Sequence, residues 1–201
     1  MLSFIQDNRE RPGGKKIKII ILGFDPCSIF VIVPGYNEAA IIRQTVEKLL
    51  ERKYSVVVID DASTDNTRNV LMGLPIYYIR HLCNLGQGAA ISTGIELSLK
   101  RNAAFLVTFD ADGQHDADDI EKMIECLQKE SADIVFGSRF VPGATSNAPA
   151  LRKLMLKTAR FINYLASGIL LTDANNGLRA MTRNAALKMR ITENRSTHNA
   201  Q

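Results

Sequence analysis

Short apolar runs recur along this chain, and stretches with helical spacing separate them. The runs are 29–33 (IFVIV), 56–59 (VVVI), 76–79, 104–109 (AFLVTF) and 133–137 (DIVFG). Continuous apolar character over four to six residues suits strands buried on both faces. Between them, 38–53 carries Ile41, Ile42, Val46, Leu49 and Leu50 at a helical period, and 65–72, 88–100 and 116–130 also read as helices. The alternation predicts an α/β fold: a mostly parallel central sheet flanked by helices on both faces. Such sheets bind ligands beyond the carboxyl ends of their strands. Polar residues just after the strands are therefore where chemistry is sought.

At 201 residues the chain is the size of one domain. It is 46% hydrophobic and 23% charged, too apolar for wholesale disorder. Three cysteines without a CxxC pair suggest neither a zinc site nor a disulfide framework, and fit a reducing compartment. No apolar run reaches the ~18–20 residues of a membrane-spanning helix, and the N-terminus lacks the order of a signal peptide. The expected location is the cytoplasm, at most on the cytoplasmic face of a membrane.

Charge is unevenly placed. Residues 1–138 carry 15 Lys and Arg against 19 Asp and Glu, whereas 139–201 carry 10 against 2. A basic final third suggests an anionic partner near the C-terminal portion; a solvated basic face is the plainer alternative. Residues 1–28 read as an arm with an extra strand at 15–24. Residues 141–149 and 173–177 read as loops, 152–171 as an apolar-basic helix and 180–189 as a short helix.

Three strand ends carry carboxylates: Glu38 after the first buried run, Asp60, Asp61 and Asp65 after the second, Asp110 and Asp112 after 104–109. Clustered like charges call for neutralisation, and a divalent cation is the simplest partner. Asp110-x-Asp112 in a bend offers hard oxygen ligands to Mg²⁺ or Mn²⁺, which implies a phosphate-bearing substrate. Turn-forming, helix-capping aspartates are the alternative. Gly86-x-Gly88 before a helix would allow close approach of an anion to backbone N–H groups, though taken alone a plain turn is the better reading. His81 and His115 read as exposed or capping histidines. Neither a phosphate-loop motif nor a complete GxGxxG is present.

VIVPGYNE (31–38), VVIDDASTDNT (57–67), NLGQGAA (84–90), FDADGQH (109–115) and DIVFGSRF (133–140) occur in this order. Together they resemble the inverting glycosyltransferases of family 2, which have the nucleotide-diphospho-sugar transferase (GT-A, Rossmann-like) fold. The likeness covers 29–190, and within the family it is greatest to polyprenyl-phosphate sugar transferases. The later segment LTDANNGLRAM (171–181) resembles their D-x-x-x-G-x-R block.

The resemblance implies a nucleotide-sugar site over 29–140 and an acceptor side over 141–190. Pro34, Tyr36, Asn37 and Glu38 would line the nucleotide pocket, with Gly86, Gly88 and Ala111 beside them. Asp61 would bind the base edge, with Asp60 adjacent. Asp110, Asp112 and Gln114 would hold the metal, Arg139 and Arg179 would bind phosphate, and Asp173 would shape the acceptor side. The expected partners are a nucleotide-sugar and a lipid phosphate; nucleic acid is not among them. A phosphate acceptor needs no general base, because it is already largely dianionic at neutral pH, and the cation-rich 139–201 segment suits it. The basic helix at 152–171 could lie at a membrane surface or simply pack in the core. Transfer to a saccharide hydroxyl stays open, as does an inactive nucleotide-sugar-binding module. The polar tail 191–201 stops where family members continue, which reads as a truncated or minimal form.

Overall fold

The computed structural model describes residues 6–7, 19–20, 26–113, 115–138 and 177–189. Within the arm, Gln6–Asp7 (β1) and Ile19–Ile20 (β2) pair antiparallel in a small sheet separate from the central one. The central sheet begins with Ile29–Gly35 (β3), followed by a helix at Ile42–Glu51 (α1). Ser55–Asp60 (β4), the short helix Thr67–Val70 (α2) and Tyr77–Arg80 (β5) come next. Gln87–Lys100 (α3), Phe105–Thr108 (β6), Asp118–Lys129 (α4) and Ile134–Phe136 (β7) continue the alternation. Arg179–Thr182 (β8) and Arg183–Lys188 (α5) complete the described chain.

The six strands lie in the order β5-β4-β3-β6-β8-β7. β3 pairs in parallel with both β4 and β6, and β4 with β5. The chain thus steps outward from β3 to β5, then returns to the other side of β3. That reversal creates a switch point between β3 and β6, where open α/β sheets bind ligands.

Helices cover both faces, as the apolar pattern requires. Ile29, Val31 and Val33 point to a core shared with Ile42, Val46 and Leu49 of α1 and Ile120, Ile124 and Leu127 of α4. Phe30 and Ile32, one residue out of phase, join Ala90, Ile91 and Ile95 of α3 and Ala185 and Ala186 of α5. This period-two division of one strand between two cores is the signature of a sheet buried on both sides.

One predicted element changes type. The helix expected at 180–189 starts only at Arg183, because Ala180 and Met181 are fully buried in β8. That strand runs antiparallel between β6 and β7. Thr182 ends it and caps α5, its hydroxyl accepting from Ala185 N at 3.2 Å. The first helix also begins later than its apolar period suggests. Residues 38–41 form a turn, in which the Glu38 carbonyl accepts from Ile41 N and Ile42 N. The stretches 141–149, 152–171 and 191–201 lie outside the described residues.

Candidate functional site

An open cleft of about 450 Å³ lies at the carboxyl ends of β3, β4 and β6. Pro34, Gly35, Tyr36 and Glu38 form one wall. Asp61, Asn84, Gly86 and Gln87 form a second, and Ala90 with Asp110, Ala111 and Asp112 closes the remainder. The strand ends are tied together: Asp61 N donates to Gly35 O and Phe109 N to Ile32 O, both at 2.9 Å. The geometry of the cleft therefore follows from the sheet.

The Asp110–Asp112 bend has its own supports. The buried Thr45 hydroxyl of α1 donates to Ala111 O at 3.3 Å. Gly113 takes a left-handed φ of 73°, a conformation that favours glycine. Asp110 Oδ1 accepts from Gln87 Nε2 at 3.1 Å, and Oδ2 lies 3.3 Å from His115 Nε2. A Cβ on Gly177 would stand 2.1 Å from that Oδ2, so only glycine leaves room for the carboxylate. Burial, then the nearby charges of Asp112 and Asp65, push the Glu38 carboxyl above its ordinary pKa. Glu38, Asp110 and Asp112 thus offer hard oxygen donors along one edge, the chemistry that suits Mg²⁺ or Mn²⁺. Among the described residues, no three His, Cys, Asp or Glu side chains already converge on one ion position.

Asp61 is almost fully buried. Its Oδ1 accepts from Leu85 N at 2.9 Å and lies 2.7 Å from His81 Nδ1; its Oδ2 accepts from Gly86 N at 2.7 Å. Gly86 caps α3 with φ 95°. Its N–H, expected from sequence to face a ligand anion, is therefore taken by Asp61.

The structure brings Pro34, Tyr36, Glu38, Asp61, Gly86, Asp110, Ala111 and Asp112 together on the cleft. Four expected residues, Asp60, Asn37, Gly88 and Arg179, do not line it. Asp60 is wholly buried; it accepts from Ser63 N at 2.7 Å and Tyr78 Oη at 2.5 Å. Asn37 turns its side chain toward the loop after β4, where Oδ1 accepts from Thr64 N at 2.8 Å, while its own N–H donates to Ser63 Oγ at 2.9 Å. Gly88 is buried within α3. Asp60 and Asn37 are braces of the cleft wall, because both Asp60 carboxylate oxygens and the Asn37 Oδ1 accept from neighbouring groups. Arg179 is 8% exposed on β8, with its guanidinium carbon 5.6 Å from the Phe136 ring centroid. Burial lowers its pKa, and Asp110 pulls the other way. Gln114, Arg139 and Asp173 lie outside the described residues.

Sequence reasoning assigned no role to Asn84 and Gln87, although both sit in the NLGQGAA block. It also read His81 and His115 as exposed or capping, whereas their side chains are 9% and 11% exposed and contact Asp61 and Asp110. Gly177 lay within the DANNG loop, but spacing alone could not reveal its approach to Asp110.

The sheet order and cleft match a known class of α/β fold. Glucosyl-3-phosphoglycerate synthase from Mycobacterium tuberculosis, solved with Mn²⁺, uridine-diphosphate and phosphoglyceric acid, superposes with a TM-score of 0.60 at 17% identity. The alignment covers 78% of this chain and 56% of that one, and the likeness is one of fold, the GT-A architecture. The sequence profile of glycosyl transferase family 2 matches residues 30–190, and the chain belongs to that family. An uncharacterized protein of Methanocaldococcus jannaschii is 37% identical over 163 residues, 80% of this chain and 67% of the relative. The UDP-N-acetylglucosamine–dolichyl-phosphate N-acetylglucosaminyltransferase of Methanococcus voltae is 34% identical, over 78% of this chain and 70% of its own. The dolichol-phosphate mannosyltransferase of Pyrococcus furiosus is 34% identical, over 69% of this chain and 41% of its own. The chain thus spans about two thirds of the first two relatives and less than half of the third.

Proposed function

We propose that this chain moves a sugar from a nucleotide-sugar to a polyprenyl or dolichyl phosphate, with inversion and with help from Mg²⁺ or Mn²⁺. The observation that carries the reading is the cleft at the switch point, which gathers Glu38, Asp61, Asp110 and Asp112 around one opening. Two relatives named for dolichyl-phosphate sugar transfer support the acceptor class.

In this reading the base lies against Asp61. A carboxylate has room for about four donors, and three protein groups contact this one, leaving an acceptor position for a base N–H. Pro34, Tyr36, Gly86 and Ala111 form walls, while Asn37, Asp60 and Gly88 hold those walls in place. Asp110 and Asp112, with Gln114, would hold the metal, and the crowded charge felt by Glu38 fits a site that a cation completes. A bound divalent ion would offset the charge growing on the leaving diphosphate. Gln87 and His115 hold the Asp110 carboxylate in one orientation for that task.

The acceptor phosphate oxygen forms its bond to the anomeric carbon on the face opposite the departing diphosphate, so the configuration inverts. No side chain must remove a proton, since the phosphate is already ionised. Arg139 and Arg179 supply positive charge for phosphate groups, and Asp173 shapes the acceptor side. No described helix is long and apolar enough to cross a membrane. The basic 152–171 stretch is proposed to rest on the cytoplasmic face of a membrane; loss of flotation with anionic liposomes would remove that part.

The test offers the purified protein GDP-mannose, UDP-glucose or UDP-N-acetylglucosamine, each with a polyprenyl phosphate or a free saccharide. The expected product is a lipid-phosphate-linked sugar. Product only on the saccharide would overturn the acceptor assignment.

A further inference from the structure

Asp61 meets the cleft with most of its hydrogen-bonding capacity already committed, and the remainder limits what a base can offer it. A carboxylate has about four acceptor positions, two on each oxygen. On Oδ1 both are taken: Leu85 N donates at 2.9 Å, and His81 Nδ1 stands at 2.7 Å. On Oδ2 one is taken, by Gly86 N at 2.7 Å. A single position remains, on Oδ2. The residue is 3% exposed and lines the cleft, so that position is the one a cleft ligand can use.

The fold holds all three partners in place. Leu85 and Gly86 lead into α3, and Gly86 takes φ 95° to cap it. His81 follows β5; its own N–H donates to Asp60 O at 2.9 Å, and its Nε2 stands 3.0 Å from Thr93 Oγ1 of α3. Freeing a second acceptor position would mean unwinding the start of α3 or pulling His81 from between two elements.

Nucleobases differ in what their pairing edges present. Uracil has one ring N–H, at N3, between two carbonyls. Guanine has two donors side by side, N1–H and the N2 amine. An unencumbered carboxylate takes both in a bidentate pair, one on each oxygen. Asp61 has a place for one, because Oδ1 is full. Guanine bound here would leave an amine N–H desolvated against an oxygen that cannot accept it, which is costly. Cytosine and adenine would turn a ring-nitrogen lone pair toward the carboxylate. Stacking does not change this order: Tyr36, half exposed on the cleft, offers its ring to any base.

We infer that Asp61, with Oδ1 filled by Leu85 and His81, is a specificity-determining residue that selects uracil over guanine, so that the donor is a uridine diphosphate sugar rather than a guanosine diphosphate sugar. The inference rests on the donor-site reading above and narrows it. Base choice is set at the loop between β5 and α3, apart from the Asp110–Asp112 edge assigned to the metal.

The test is calorimetric titration of the full chain with UDP, GDP, IDP and N3-methyl-UDP, all with Mn²⁺ present. The diphosphate is common to the four, so differences report the base. IDP keeps guanine's two-ring frame and its N1–H but lacks the N2 amine, which separates the second donor from ring size. UDP and IDP should each bind at least about tenfold more tightly than GDP, the scale of one unsatisfied buried donor. N3-methyl-UDP should be weakened by a similar factor relative to UDP. GDP binding as tightly as UDP would overturn the inference. So would IDP matching GDP, since ring size would then explain the preference, or N3-methyl-UDP matching UDP, since N3–H would then go unread. If none of the four binds the folded protein, the donor-site reading fails and the selection falls with it. If GDP binds best, the donor site stands and the selection alone is lost.

Discussion

Gly177 and Asp110 show how little room the cleft leaves at single residues. With a Cβ only 2.1 Å from Asp110 Oδ2, Gly177→Ala must displace that carboxylate. Mn²⁺-dependent nucleotide binding should drop at least tenfold while circular dichroism stays native; unchanged binding would mean that Asp110 can move without loss. Glu38 is a second case. Its carboxyl is raised by burial and by Asp112 and Asp65, so the folded state resists its ionisation, and stability falls as pH rises from the unfolded value of about 4 through the folded one. Glu38→Gln should therefore raise the melting temperature at neutral pH and change it little under acid conditions where Glu38 is protonated in both states. Asp60 has the opposite sign. Burial works to raise its pKa, but hydrogen bonds from Ser63 and Tyr78, with Arg80 beyond, leave it depressed. Its contribution is complete above the unfolded value of about 4 and disappears as pH falls through the folded one. Acid unfolding followed by circular dichroism should show a shallower loss of stability over that window in Asp60→Asn.

Elements hold the cleft at fixed spacings. α3 lies so close to β3 that a Cβ on Gly94 would approach Ile32 Cγ2 at 2.3 Å. Gly94→Ala should cost about 1–3 kcal/mol in urea unfolding, the usual scale of overpacking. Thr45→Val removes the bond from α1 to the Ala111 carbonyl. It should cost about 1 kcal/mol and weaken metal-dependent binding more than its effect on stability alone would suggest. The apolar runs made β3, β4 and β6 legible in sequence, because a strand buried on both faces cannot hide its character. β8 was not legible: a four-residue strand flanked by a helix former on one side leaves no period to count, and its place between β6 and β7 depends on contacts distant in sequence. The same limit applies within the site. Glu38, Asp61, Asp110 and Asp112 could be read from their places after strands. The separation of Asp61, on the cleft, from Asp60, buried beneath it, required the backbone to be placed. His81 looked like an ordinary surface histidine, since neither Asp61 nor Thr93 adjoins it in sequence.

Across the whole molecule, one sheet reversal organises the chemistry. The β3–β6 ladder ends at Ile32 and Thr108 while β3 runs on to Gly35, and the carboxylates carried beyond these strands share one opening. The net charge of +4 conceals an acidic portion up to residue 138, which contains this opening, and a basic remainder. An anionic diphosphate beside those carboxylates needs a cation between them, and that requirement links the donor site to metal. The most direct measurement is thermal shift of the protein with UDP and GDP, with and without Mn²⁺, repeated on Asp112→Ala. The account predicts that at least one nucleotide stabilises the protein with Mn²⁺ and much less without it, and that Asp112→Ala abolishes the difference while remaining folded. No stabilisation by either nucleotide, or stabilisation indifferent to both Mn²⁺ and Asp112, would contradict it.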